Sequence, residues 1–192
     1  MNQEVEATIF ARVSIFTMGL LRKLPYLNMV QGEVPSTTNE GLRIGNRVRM
    51  TMNPDGSEKV ITVTTKFRIP RKEGSVVSTC PQVELHATQG DFEVIMGASP
   101  VRHVKRRYVF RLSDDKLAEI DVYVTNEETI DLSRDIKIDI GKCDEANVEQ
   151  YLAELADKGI HLEEIYNPIG VESDEIKNKI TKLITEEWNL KK

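Results

Sequence analysis

The sequence predicts an α+β fold, an antiparallel sheet followed by helices, on three observations. The first two thirds carry repeated short stretches in which apolar and polar side chains alternate with period two, the pattern of a half-buried strand. Turn signals separate them, of which Asn53-Pro54-Asp55-Gly56 is the strongest. The last quarter changes to helical periodicity, and helices gathered at one end of an antiparallel sheet define the class. A chain of 192 residues suits one domain. We place it across residues 1–192, with strands between about 4 and 141 and a helical segment over 144–190.

In chain order, residues 4–13 set Val5, Ala7 and Ile9 against Glu4, Glu6 and Thr8. Residues 14–30 are apolar and mixed, and part of them predicts a helix ending near Pro25; residues 31–41, QGEVPSTTNEG, read as loop. Strands follow over 46–52 and 59–69. Residues 82–87 and 92–97 read as two strands joined by the turn Thr88-Gln89-Gly90-Asp91. Further strands are expected over 104–112, 117–125 and 135–141. Residues 144–159 predict a helix with acids at its start, Gly159 just past its end and Val148, Leu152 and Leu155 in a stripe beside Tyr151. Residues 173–188 predict another, with Ser173 as N-cap, Asp174 and Glu175 in the first turn, and Ile176, Ile180, Leu183 and Ile184 on one side.

Composition excludes several classes. The net charge of −5 argues against a protein that coats duplex nucleic acid, which needs a broadly basic surface. Cys80 and Cys143 are far apart and outside any C-x-x-C, and His86, His103 and His161 are isolated, so no zinc site is expected. Cys80, beside Pro81, reads as a turn residue without a base partner. No apolar run reaches the ~18 residues of a membrane span. The opening MNQEVEA lacks the positive-then-apolar order of a secretory signal. Together these predict a cytoplasmic protein. No P-loop motif is present.

The charges sort by strand. Glu4 and Glu6 lie on the first; Arg47 and Arg49 on 46–52; Lys66 and Arg68 on 59–69. Lys105, Arg107 and Arg111 share a face of 104–112, VKRRYVFRL. Glu119, Asp121 and Tyr123 share one on 117–125, and Lys137 and Asp139 on 135–141. Members spaced i, i+2 point the same way. An open sheet would show these charges to water. A closed one would turn them into a lumen, where Arg and Lys suit phosphate oxygens and carboxylates suit a bridging divalent cation. Both readings remain open from the pattern alone.

The ordered set resembles the CYTH superfamily, the triphosphate tunnel enzymes. Glu4-Val5-Glu6-Ala7-Thr8 stands for that family's E-x-E-x-K strand, Arg47-Val48-Arg49 for its R-x-R, and Lys66 for its single-lysine strand. Lys105-Arg106-Arg107-Tyr108-Val109-Phe110 matches its K-x-R-x-x-(Y/F), and Asp121 sits on the acidic strand. The resemblance spans roughly residues 4–140 and implies an eight-stranded antiparallel β-barrel with flanking helices. By carry-over, Arg47, Arg49, Lys66, Lys105 and Arg107 would bind triphosphate, while Glu4, Glu6, Asp121 and Asp139 would hold Mg2+ or Mn2+. Arg68 and Arg111 would lie nearer the rim. Two positions depart from the family: Thr8 stands for its lysine, and Lys137 for the first glutamate of its last acidic pair.

The resemblance implies a metal-dependent phosphohydrolase acting on inorganic triphosphate, thiamine triphosphate or a nucleotide or RNA 5′-triphosphate. An adenylate cyclase-like enzyme and a non-catalytic module binding a phosphorylated small molecule or nucleotide are the alternatives, and the two departures favour the last. Trp188 reads as a packing anchor, His86 and His103 as structural or solvent-facing, and His161 as a cation suited to a helix end.

Overall fold

The chain folds around strands whose apolar and charged faces are held apart. A computed structural model describes residues 2–37, 43–68, 76–124, 130 and 135–165. The strands are β1 (Asn2–Val13), β2 (Leu27–Thr37), β3 (Arg43–Met52), β4 (Val60–Arg68), β5 (Val77–His86), β6 (Val101–Arg111), β7 (Leu117–Tyr123), β8 (Ile136–Gly141) and β9 (Leu162–Ile165). The helices are α1 (Ile15–Leu21), α2 (Gln89–Ala98) and α3 (Val148–Asp157). The strand order is β5-β4-β3-β2-β6-β7-β8-β1-β9, and β1 also pairs with β5. That extra pairing runs from Asn2 opposite Gln82 to Ala7 opposite Val77, and it joins the two ends of an eight-strand ring. Every pairing in the ring is antiparallel. The ninth strand extends the same edge of β1 past the β5 ladder, at Ala11–Val13. The α+β class and the eight-stranded barrel therefore stand, with β9 as an addition the sequence did not signal.

Outside the ring, the apolar faces meet helices. Ala7, Ile9 and Ala11 of β1, Ala118, Ile120 and Val122 of β7 and Ile136, Ile138 and Ile140 of β8 form one core. Met18 and Leu21 of α1 and Val148, Tyr151 and Leu155 of α3 cover it. Each large side chain so buried contributes about 1.5–3 kcal/mol. Ser14 caps α1 by accepting from the Thr17 amide at 3.1 Å, and Thr17 Oγ1 accepts from the His161 amide at 2.9 Å, tying α1 to the segment after α3. Gly159 lies in the left-handed region at φ 88°, where glycine ends a helix without strain. A second core sits over β3 and β4, where Val48, Met50 and Ile61 pack on Phe92 of α2.

Three expectations are corrected. Residues 92–97 belong to helix α2, not a strand. Thr88 and Asp91 form a capping box, and Phe92, Ile95 and Met96 follow at helical spacing, packed in the second core. Residues 31–37 are not loop: β2 runs to Thr37, with Gln31 and Glu33 facing the polar interior and Gly32 beneath α2, so no apolar alternation marked it. Cys80 lies buried within β5 rather than in a turn, because the fixed φ of Pro81 suits extended backbone. The expected helix at 173–188, with Trp188, lies outside the described residues.

The approach of α2 to β2 is testable. A Cβ on Gly32 would stand 2.5 Å from Met96 Sδ and 2.6 Å from Ser99 Oγ, whereas one on Gly97 would meet nothing within 4 Å. Gly32→Ala is expected to lose about 1–3 kcal/mol in urea unfolding by overpacking. Gly97→Ala, inside a helix, is expected to gain about 0.5–1 kcal/mol. A Gly32→Ala protein as stable as wild type would contradict the packing.

Candidate functional site: a charged barrel lumen

Alternation puts the polar face of every ring strand inside. The register aligns Thr8 with Asp139, Arg107 with Asp121, Asp121 with Lys137, and Arg47 with both Thr64 and Glu33. Four of the five expected phosphate-binding residues make contacts within this interior, and the fifth, Arg47, shares its strand face with Arg49.

The firmest element is a fork. Arg107 donates from Nε to Asp121 Oδ1 at 2.7 Å and from Nη2 to Asp121 Oδ2 at 2.9 Å, and its Nη1 reaches Glu119. Lys105 Nζ lies 3.4 Å from Asp121 Oδ2. Asp121 is 1% exposed and Arg107 7%. Burial alone would raise the Asp121 pKa, but Lys105 and Arg107 outweigh it and hold the carboxyl far below its usual range. Burial likewise opposes the Arg107 charge, and Asp121 and Glu119 more than restore it.

A second cluster surrounds Asp139. Lys137 Nζ donates to its Oδ2 at 2.6 Å and Thr8 Oγ1 to its Oδ1 at 2.9 Å. Burial disfavours the Lys137 charge, yet Asp139, Glu6 and Asp121 raise its pKa above the ordinary value. On the two strands flanking β5, Lys66 Nζ pairs with Glu6 at 3.4 Å.

Arg47 and Arg49 differ in kind. Among the described residues neither bonds a carboxylate. Arg49 donates to the neutral amide oxygen of Gln31 at 3.3 and 3.2 Å. The Nε of Arg47 is buried without a hydrogen-bond partner. Burial, with Arg47 and Arg107 nearby, lowers the Arg49 pKa to about 10. Such a pair has positive charge left over for an anion.

The expected metal set behaves differently. The Glu4 side chain lies outside what the structure describes; its backbone pairs with Cys80. Glu6, Asp121 and Asp139 all belong to the lumen, but each already binds a cationic side chain, and both oxygens of Asp121 and of Asp139 are engaged. Among the described residues no group of three carboxylate, histidine or cysteine side chains stands where it would hold a metal ion. The described carboxylates, with the Glu4 side chain outside them, do not by themselves form a site for a divalent cation. Arg111 is exposed and 4.0 Å from Asp115, at the rim as expected, and the Arg68 side chain lies outside the description. His86 is exposed at the end of β5, and the His103 ring is tilted against Tyr123 at 5.7 Å.

Sequence reasoning passed over Gln31, Glu33, Thr64 and Glu84. Gln31 donates to Glu33 at 2.6 Å and Thr64 to Glu84 at 2.9 Å. The i, i+2 spacing of Gln31 and Glu33 was the available signal for the first pair.

Solved structures share this fold. The PH1819 protein of Pyrococcus horikoshii OT3 matches 85% of this chain and 94% of its own, with a TM-score of 0.54 at 10% identity. The HpAC1 protein of Hippeastrum, described as having a dominant triphosphatase activity, matches 86% of this chain and 92% of its own, with a TM-score of 0.51 at 14% identity. The inorganic triphosphatase NE1496 aligns over 94% of both chains at 17% identity, with a TM-score of 0.39. PH1819 and HpAC1 are CYTH-type proteins, and the likeness to them is one of fold. No family profile matches the sequence, and neither does any curated protein. No helix among the described residues is long and apolar enough to cross a membrane.

Two outcomes are expected. Asp121→Asn leaves Arg107 and Lys105 buried without their shared anion and is expected to cost about 3–5 kcal/mol, read from the urea midpoint; a loss within 1 kcal/mol, roughly the worth of a surface pair, would contradict it. Lys105 is the pH-sensitive cation, since burial lowers its pKa to about 8 despite Asp121. Its charge is present below that pH and lost above it. Affinity for an anion that does not itself titrate there, such as sulfate, should therefore fall as pH rises through about 8 if it binds against Lys105, by at most about tenfold per pH unit for one proton. Lys105→Arg should flatten that fall, because arginine stays charged. A flat wild-type profile between pH 7 and 9.5 would contradict the assignment.

Proposed function

We propose that this chain is a phosphohydrolase of the triphosphatase type, whose barrel lumen grips a linear triphosphate, free or at the end of a nucleotide. One observation carries the reading: Arg47 and Arg49, side by side on β3, point into a barrel interior with no carboxylate partner among the described residues. Cations held in a partly buried interior with no directly bonded carboxylate are only partly compensated, here by Asp121 and Glu119 acting on Arg49 from a distance, and an anion in the lumen completes the balance. The dominant triphosphatase activity described for HpAC1, which shares the fold, supports the same substrate class.

The residues divide the work. The Arg47 and Arg49 guanidiniums offer planar forks that match phosphoryl oxygens. Lys105, across β2 from them, adds a point charge. Arg107 is held rigid by Asp121 and Glu119, so it is oriented before ligand arrives and needs little reorganisation as charge develops on the transferring phosphoryl group. Lys66 completes the set from β4. The described carboxylates do not by themselves form a site for Mg2+ or Mn2+. The pairing of Asp139 and Asp121 with internal cations favours a second reading, a module that binds triphosphate without cleaving it.

Orthophosphate release from tripolyphosphate separates the two readings, and calorimetric affinity tests what they share. Arg49→Ala should weaken binding about 10- to 100-fold, the worth of about 1.5–3 kcal/mol for hydrogen bonds to a charged group. Arg106 lies outside the barrel over the Tyr26 ring, 4.5 Å from its centroid, so Arg106→Ala should change affinity less than about twofold, having no ligand contact to lose. Equal weakening by both would remove the lumen from the account, and no tripolyphosphate binding by wild type would remove the function.

A further inference from the structure

The acidic side of the lumen has a resident positive charge. Lys137 stands opposite Asp121 in the β7–β8 register and opposite Phe10 in the β8–β1 register. Its ammonium bonds Asp139 at 2.6 Å and lies within electrostatic reach of Glu6 and Asp121 as well. Those are the three described carboxylates to which the family resemblance would assign a divalent metal. A divalent cation in such a place neutralises carboxylates and bridges them to phosphate oxygens. A lysine ammonium has three donors and no acceptor. With one donor on Asp139, the others can face a phosphate oxygen. Thr8 adds a hydroxyl on the other oxygen of Asp139, fixing the carboxylate from its far side.

The charges of the described lumen support this. Arg107 and Lys105 neutralise Asp121, Lys66 neutralises Glu6, and Lys137 neutralises Asp139. An incoming triphosphate therefore meets carboxylates already cancelled by tethered cations. A metal ion would first have to displace Lys137 from Asp139 or Arg107 from Asp121.

We infer that the Lys137 ammonium takes the place of a divalent cation in this lumen, so that the barrel binds a triphosphate chain without metal. The inference rests on the lumen being the triphosphate site. It makes Lys137 a ligand-binding residue, linked to phosphate on one side and Asp139 on the other.

The test is calorimetric titration with tripolyphosphate, supplied either metal-free in EDTA or as its preformed Mn2+ complex. For wild type, the two dissociation constants should agree within about threefold. Lys137→Gln should weaken metal-free binding at least about tenfold. Lys137→Glu should weaken it further and make the Mn2+ complex the better ligand, thermal melts having shown both variants folded. Wild-type binding of the Mn2+ complex alone would overturn the inference and leave the triphosphate reading standing. Binding of neither form would overturn the triphosphate reading itself. Metal-free binding by both variants at wild-type strength would show Lys137 idle and overturn the inference. The wild-type comparison needs no variant, so a folding failure in either leaves the test decisive.

Discussion

The buried fork between Arg107 and Asp121 is the constraint around which the rest is arranged. Two charges taken out of water are tolerable only when geometry and further hydrogen bonds satisfy them. Here both oxygens of Asp121 and three nitrogens of Arg107 are engaged on adjacent strands. That requires β6 and β7 to pair in one register, since a slip of one residue in β7 would turn Asp121 to the other face, away from Arg107. The same register places Tyr108 and Ile120 on the opposite face, under the helices. A polar interaction inside the barrel and an apolar one outside it thus select the same alignment.

Closure makes the lumen chemically distinct. An open sheet would let water screen Arg47, Arg49 and Lys105. The β1–β5 pairing encloses them, and burial then lowers Lys105 to about 8 and Arg49 to about 10. The cations fall into two groups. Arg107, Lys66 and Lys137 are matched by Asp121, Glu6 and Asp139. The β3 arginines are not so matched among the described residues. The second group has charge not taken up by a bonded carboxylate, while the first, Lys137 among it, is held in place by its carboxylates.

Much of this was legible in the sequence. Glu119 and Asp121, or Lys105 and Arg107, at i, i+2 on strands with apolar opposite faces, told which side chains share a face. The strand at 31–37 was hidden because Gln31, Gly32 and Glu33 answer to a polar lumen on one side and a close helix on the other. The helix at 89–98 was hidden because its capping box, Thr88 with Asp91, also reads as a turn. Pairing was beyond reach for another reason: Thr8 meets Asp139 and Lys66 meets Glu6 only when distant strands become neighbours in the ring. Thr8 and Lys137 looked like lost charges by comparison with the family pattern; in the fold they are the two donors that hold Asp139.

The most direct measurement is a crystal structure of the protein grown with tripolyphosphate. The account predicts a phosphate chain inside the barrel, with oxygens on the guanidiniums of Arg47 and Arg49 and the Arg107–Asp121 fork intact. A chain bound on the outer surface, or a lumen in which Arg47 and Arg49 do not touch it, would contradict the account.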